Sequence, residues 1–269
     1  MALRWAAGTR WAVLWLVVIA ATGLLAPRLP LPSPLVTEPA ASLQSPSAAH
    51  WLGTDLLGRD VLSRMAWGVR RTLLAALVAI AISAVVGTAA GMTAGYLGGW
   101  VDDWLMRCLE VALALPPLLL ALILISALGP GQVSVGVAVG LANVAGFARL
   151  VRAAVLQVRG QLYVQAAEAL GASRPRILAQ HILRNTAPAL ASFTAVYFAW
   201  SILNGAALTF LGFGGNPAVP DWGMMLNEGR AYLLSAPWLS AAPGLAITLS
   251  VLAVNALAAG GSQIRSVSH

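Results

Sequence analysis

The run TLLAALVAIAISAVVGTAAGMTAGY occupies residues 72–96 and contains no charged side chain. A helix needs roughly 20 apolar residues to cross the hydrocarbon core of a bilayer, and this run exceeds that. In lipid every backbone N–H and C=O must be satisfied internally, so the run reads as a membrane-spanning helix and not as an open strand. Gly87, Gly91 and Gly95 recur at every fourth position within it. Small residues at that spacing let a second helix approach closely enough for van der Waals contact, so the stripe predicts a helix–helix seam.

Outward from this run the pattern repeats. Apolar stretches cover 105–128, 132–151, 188–211 and 241–259, and an earlier one covers Trp11–Ala26 behind Arg4 and Arg10. The chain has 269 residues, 59% hydrophobic and only 9% charged, against about a quarter charged in a soluble domain. An all-α integral membrane protein with six transmembrane helices is the expectation. A basic start before an apolar core also fits a secretory signal peptide. Its Trp-rich, slightly long core, and the Pro and Arg that follow Ala26, favour an uncleaved first span. Residues 27–50, rich in Pro and Ser, predict an irregular extramembrane segment. The resulting division is 1–10 as cytoplasmic N-terminus, 11–26 as first span, 27–71 as extracytoplasmic segment, 72–259 as core and 260–269 as cytoplasmic tail.

The net charge is +7, and all sixteen basic residues are arginine. No basic run offers a nucleic-acid surface, so the charge is read as setting topology at the membrane faces. With the N-terminus inside, Arg4, Arg10, Arg107, Arg149, Arg152, Arg159, Arg174, Arg176, Arg184 and Arg265 face the cytoplasm. Arg28, Arg59, Arg64, Arg70, Arg71 and Arg230 face outward. Ten against six favours both termini in the cytoplasm, although Arg70-Arg71 argues the other way. Glu110 is the one acidic residue inside these stretches. Glu110 with Arg107 suggests a local i, i+3 pair, and Pro116-Pro117 should kink the third span. Asn143, Asn204 and Asn255 are candidates for a translocation path or for interhelical hydrogen bonding.

Residues 163–190, YVQAAEALGASRPRILAQHILRNTAPAL, interrupt the apolar pattern but keep helical spacing. Ala166, Ala167, Leu170 and Gly171 share one small, mildly apolar face flanked by Gln165 and Glu168. Ser173 can cap a second helix with Pro175 in its first turn. That helix places Ile177, Leu178, His181 and Ile182 on one side, and Pro188 falls where the next span begins. A helix-turn-helix whose exposed face is made of small residues suits close contact with a partner, while an ordinary helical loop is the plainer reading.

This stretch resembles the cytoplasmic loop of ABC importer permeases, in which Glu-Ala-Ala precedes a Gly and a later Ile-x-Leu-Pro. Here Gln165-Ala166-Ala167 precedes Gly171, and His181-Ile182-Leu183-Arg184 stands at the far end. HWLGTDLLGRDVLSRM (50–65), AGYLGGWVDDWLMR (94–107), GFARLVRAAV (146–155), LTFLGFGGNP (208–217) and WGMMLNEGRAYLLSAPW (222–238) resemble the dipeptide, oligopeptide and nickel branch of that family. The resemblance implies a type I importer permease fold in the bacterial cytoplasmic (inner) membrane. It implies a coupling loop at 156–187, with Gln165, Ala166, Ala167, Glu168, Gly171, His181 and Leu183 docking an ATP-binding subunit. Partners would be a second homologous permease, two ATP-binding subunits, an extracytoplasmic solute-binding protein and membrane lipid. The cargo would be short peptides, with nickel or a metal chelate as the alternative. Where the family carries Glu, Pro and Gly-Asp-Gly, this chain has Gln165, Arg184 and Ala259-Gly260-Gly261.

Catalysis finds no footing. GxxxxGK[ST] is impossible without lysine, and HExxH, CxxC and GxSxG are missing, so no enzyme activity is expected of this chain. ATP and magnesium would be held by the partner subunits. His50, His181 and His269 are too scattered for a shared metal site, and Cys108 reads as a small apolar residue near a helix end. Gly212-Phe213-Gly214-Gly215 reads as a turn. A stand-alone secondary transporter or channel is the reading from another class; it would not need the coupling loop.

Overall fold

A computed structural model describes the backbone of residues 2–266 and the side chains of residues 10–259. The expectations on Arg4, on the tail 260–269 with Arg265, and on His269 lie outside those side chains. The described residues are helical, with one isolated bridge between Thr54 and Asp60 and no strand. The helices are α1 (Ala2–Leu25), α2 (Val61–Leu97), α3 (Gly99–Leu113), α4 (Pro117–Leu128), α5 (Gln132–Arg159) and α6 (Leu162–Ala169). They continue as α7 (Arg174–Phe210), α8 (Trp222–Gly229) and α9 (Trp238–Ser266). Among the described residues five helices are long and apolar enough to cross a membrane, and α3 with α4 makes a sixth span if the pair is counted as one.

The expected kink at Pro116-Pro117 is a break instead: α3 and α4 meet at 87°. Pro117 forces the residue before it into extended backbone, and Pro116 takes φ −53° and ψ 135°. Neither proline supplies an N–H to carry the helix through.

The glycine stripe forms the seam it predicts. α2 and α5 run parallel, and a Cβ on Gly91 would lie 2.7 Å from Val151 Cβ, while one on Gly95 would lie 2.9 Å from Val155 Cβ. The seam is reciprocal, because Gly136 and Gly140 of α5 press against Val78, Ala79 and Ile82 of α2. α1 lies against α9, where the Trp15 indole donates to Ser250 Oγ at 3.1 Å.

Residues 29–60 are irregular but tied down. Glu38 N donates to Leu57 O at 3.0 Å and Leu43 N to Asp55 O at 3.0 Å, while Asp60 caps α2 by accepting from Ser63 N at 2.8 Å. Gly212 and Gly215 adopt φ of +97° and +89° in the turn after α7. Arg71 closes that turn by donating to Gly214 O at 3.0 Å and Val219 O at 3.2 Å. Arg71 therefore has a structural use in that turn.

Candidate functional site

The polar interruption folds into an elbow between α5 and α7. α5 stops at Gly160, and Gln161, in extended backbone, opens α6. Gly171 N donates to Glu168 O at 3.0 Å and Ala172 N to Ala167 O at 3.1 Å, the paired bonds of a Schellman ending. That ending needs a left-handed residue, and Gly171 has φ +78°. Nothing lies within 4 Å of a Cβ built there, so glycine is favoured by backbone conformation and leaves open surface beside it.

α6 presents one face outward. Leu162 is 81% exposed and Leu170 88%; Gln165, Ala166, Glu168 and Gly171 are exposed too, and Ala167 is half-buried. The opposite face carries Val164, fully buried in a cluster with Met92 and Tyr96 of α2, Val151 and Val155 of α5, and Ile177 and Ile182 of α7. Gln165 Nε2 reaches back to Gly160 O at 3.4 Å. Glu168 forms no ion pair among the described residues.

Beyond the turn, Ser173 stands at the start of α7 in extended backbone but its hydroxyl makes no capping bond; Pro175 occupies the first turn. Ile177–Leu183 winds as a π-helix, a form concentrated at functional sites. His181 is half-buried with its ring 6.2 Å from Tyr163, and Leu183 is 40% exposed. Pro188 does not start the next helix: it lies inside continuous α7.

The three asparagines separate. Asn143 is buried on α5, and its Nδ2 has no hydrogen-bond partner. Asn204 is half-buried on α7 and Asn255 is exposed on α9. Arg107 and Glu110 form no ion pair among the described residues. Instead Arg152 grips Asp102 through Nε and Nη2, both at 2.5 Å. His50 Nδ1 lies 2.9 Å from Asp60 Oδ2, far in sequence from His181.

A second constellation was not foreseen in the sequence. Arg64, 1% exposed, donates to Asp55 Oδ2 at 2.5 Å and to Glu228 Oε2 at 2.6 Å. Arg59 Nε adds a bond to Asp55 Oδ2 at 2.6 Å. Two cations and two anions thus join the start of α2 to α8, beside a cavity of about 420 Å³ that Arg230 and Tyr232 also line. Both partners sit inside quoted motifs, 50–65 and 222–238, which is the signal that could have found them.

The arrangement defines a multi-pass membrane protein with an exposed helical elbow wired into its bundle. Residues 87–261 match the family model for the binding-protein-dependent transport system inner membrane component. The chain is 37% identical over 252 residues to the dipeptide transport system permease protein DppC of Alkalihalophilus pseudofirmus, covering 93% of this chain and 83% of that one. It is 41% identical over 217 residues to the glutathione transport system permease protein GsiD of Pectobacterium atrosepticum, covering 81% and 72%. The Shigella flexneri serotype 5b GsiD is 43% identical over 215 residues, covering 80% and 71%. The chain belongs to the binding-protein-dependent inner membrane component family, as the resemblance in its motifs implied.

Proposed function

We propose that this chain is one permease subunit of an ATP-driven importer that carries short peptides across the bacterial cytoplasmic membrane. The observation that carries the reading is the elbow. α6 shows an apolar and small-residue surface on one side, while Val164 on the other sits in one buried cluster with α2, α5 and α7. A partner that pulls on α6 therefore moves three membrane helices together, a lever between two states of the pore. A transporter working alone would have no use for that surface.

In this reading both termini lie in the cytoplasm, where the elbow would meet an ATP-binding subunit that holds ATP and magnesium. A second, homologous permease would complete the pore, and a second ATP-binding subunit would complete the motor. A solute-binding protein would deliver cargo to residues 27–66 and 213–240, the side of the Arg64–Glu228 cluster. Dipeptides and glutathione, the cargoes in the relatives' names, are both small peptides. No metal is named there, so peptide is preferred over nickel or a chelate.

The test is uptake of labelled Ala-Ala by cells carrying Gly171→Leu. Loss of uptake, with the chain still in the membrane and the wild type active, is expected. Normal uptake by that variant would sink the lever.

A further inference from the structure

A cavity of about 290 Å³ lies at the break between α3 and α4, walled by α5 and α7, at the small end of ligand-binding volumes. Its polar groups are Asn143, Arg149 and Tyr197; Pro117 and Trp200 are among its apolar walls, and no acidic residue lines it. Asn143 is only 5% exposed, yet its Nδ2 has no partner. Buried amide donors are normally satisfied, and one left over points to a group that completes it. The Tyr197 hydroxyl stands directly over Gly146, where a Cβ would collide with it. Its ring is held edge-on against Phe147 at 5.2 Å between centroids, and its hydroxyl bonds to no other described residue. Arg149 is exposed and forms no ion pair among the described residues.

Arg149 also borders a second cavity lined by Asp102, Asp103 and Glu110, and pairs with none of them. An amide N–H, a phenol and a guanidinium thus converge on a cavity whose own walls carry no carboxylate. Two are donors throughout, and the guanidinium fork suits a carboxylate, which accepts two parallel N–H bonds. We infer that this cavity is a substrate subsite that holds the C-terminal carboxylate of a passing peptide. Arg149 pairs with the carboxylate, Asn143 and Tyr197 donate to its oxygens or to the last peptide carbonyl, and Trp200 and Pro117 flank the neighbouring side chain. The inference rests on the peptide-importer reading and adds which end of the peptide the membrane subunit grips. Gly146 has a place in it, because any side chain there would displace the Tyr197 hydroxyl.

The test uses the complete membrane complex in lipid nanodiscs without the solute-binding protein. Saturation-transfer NMR compares Ala-Ala with its C-terminal amide. The wild type should transfer saturation to Ala-Ala and several-fold less to the amide. Loss of one charge-assisted hydrogen bond corresponds to about tenfold in affinity or more, so Arg149→Gln and Asn143→Leu should each lower the Ala-Ala signal by about that factor. Arg149→Gln alters an exposed side chain and keeps the test valid should Asn143→Leu fail to fold. Equal transfer to both peptides, or an unchanged signal in Arg149→Gln, overturns the subsite. A parallel assay of ATP-driven Ala-Ala accumulation, with the binding protein present, separates the two ideas. A wild type that accumulates no peptide overturns the importer reading and the subsite with it. Accumulation with unchanged peptide binding in the variants overturns the subsite alone.

Discussion

Asp102 and Arg152 meet through two hydrogen bonds of 2.5 Å, tying the first turn of α3 to the last third of α5. Gly98, with φ +67°, turns the chain sharply from α2 into α3, and the ion pair fixes where α3 then lies. The two side chains are 12% and 33% exposed, between the surface and buried regimes. Asp102→Asn should therefore cost about 1–2 kcal/mol, more than a solvated pair and less than a buried one. Denaturation of the purified chain in detergent measures it. A double variant with Arg152→Gln should cost less than the sum of the singles; strict additivity would mean the pair contributes nothing.

Arg64 and Glu228 share a cluster but not an environment. The Arg64 side chain is 1% exposed and Glu228 33%. Arg64→Leu strands buried Asp55 with one cation fewer and should cost about 3–5 kcal/mol. Glu228→Gln keeps a hydrogen-bonding group at a wetter position and should cost about 1 kcal/mol. The ranking is the claim: equal losses for the two would show that the cluster is solvated throughout.

Two glycines in the bundle should respond in opposite ways. A Cβ on Gly91 would meet Val151 Cβ at 2.7 Å and Arg152 N at 3.0 Å. Ala148 O, also backbone of α5, lies closer still, so α2 and α5 must part, and Gly91→Ala should cost about 1–3 kcal/mol. Around Gly205 the nearest atom is Val135 Cγ1 at 3.8 Å. Ala there gains up to about 1 kcal/mol of helix propensity, so Gly205→Ala should be neutral or stabilising. Melting temperatures of the two variants, measured side by side, decide it.

What the sequence disclosed was periodic or local. An uncharged run long enough to span, glycines at every fourth position, and a helix ending at Gly171 each follow from neighbours a few residues apart. Pairings across long separations stayed hidden: Arg64 and Glu228 lie 164 residues apart, and the number of arginines on a membrane face carries no information about their partners. Closeness in sequence suggests Arg107 with Glu110, whereas Arg152 of α5 reaches Asp102 of α3 from 50 residues away. The proline pair marked the place of the break but not its 87° angle, which depends on what α3 and α4 each pack against. The three asparagines were equivalent as letters, and only burial sets Asn143 apart.

The elbow allows docking and transmission to be separated. Val164 is fully buried between α2, α5 and α7, whereas Leu170 is 88% exposed. Val164→Ala removes two methyl groups, about 0.8 kcal/mol each before any cavity cost. The outer face of α6 is left unchanged. ATP-binding subunits should still co-purify with this variant while ATP-driven uptake falls, because the docked helix no longer moves the bundle firmly. Leu170→Ser should do the reverse: co-purification weakens while the melting temperature of the isolated chain hardly changes. Equal loss of co-purification in both variants would show that Val164 serves only to hold α6 in shape, and transmission would then have to run through the π-helical start of α7.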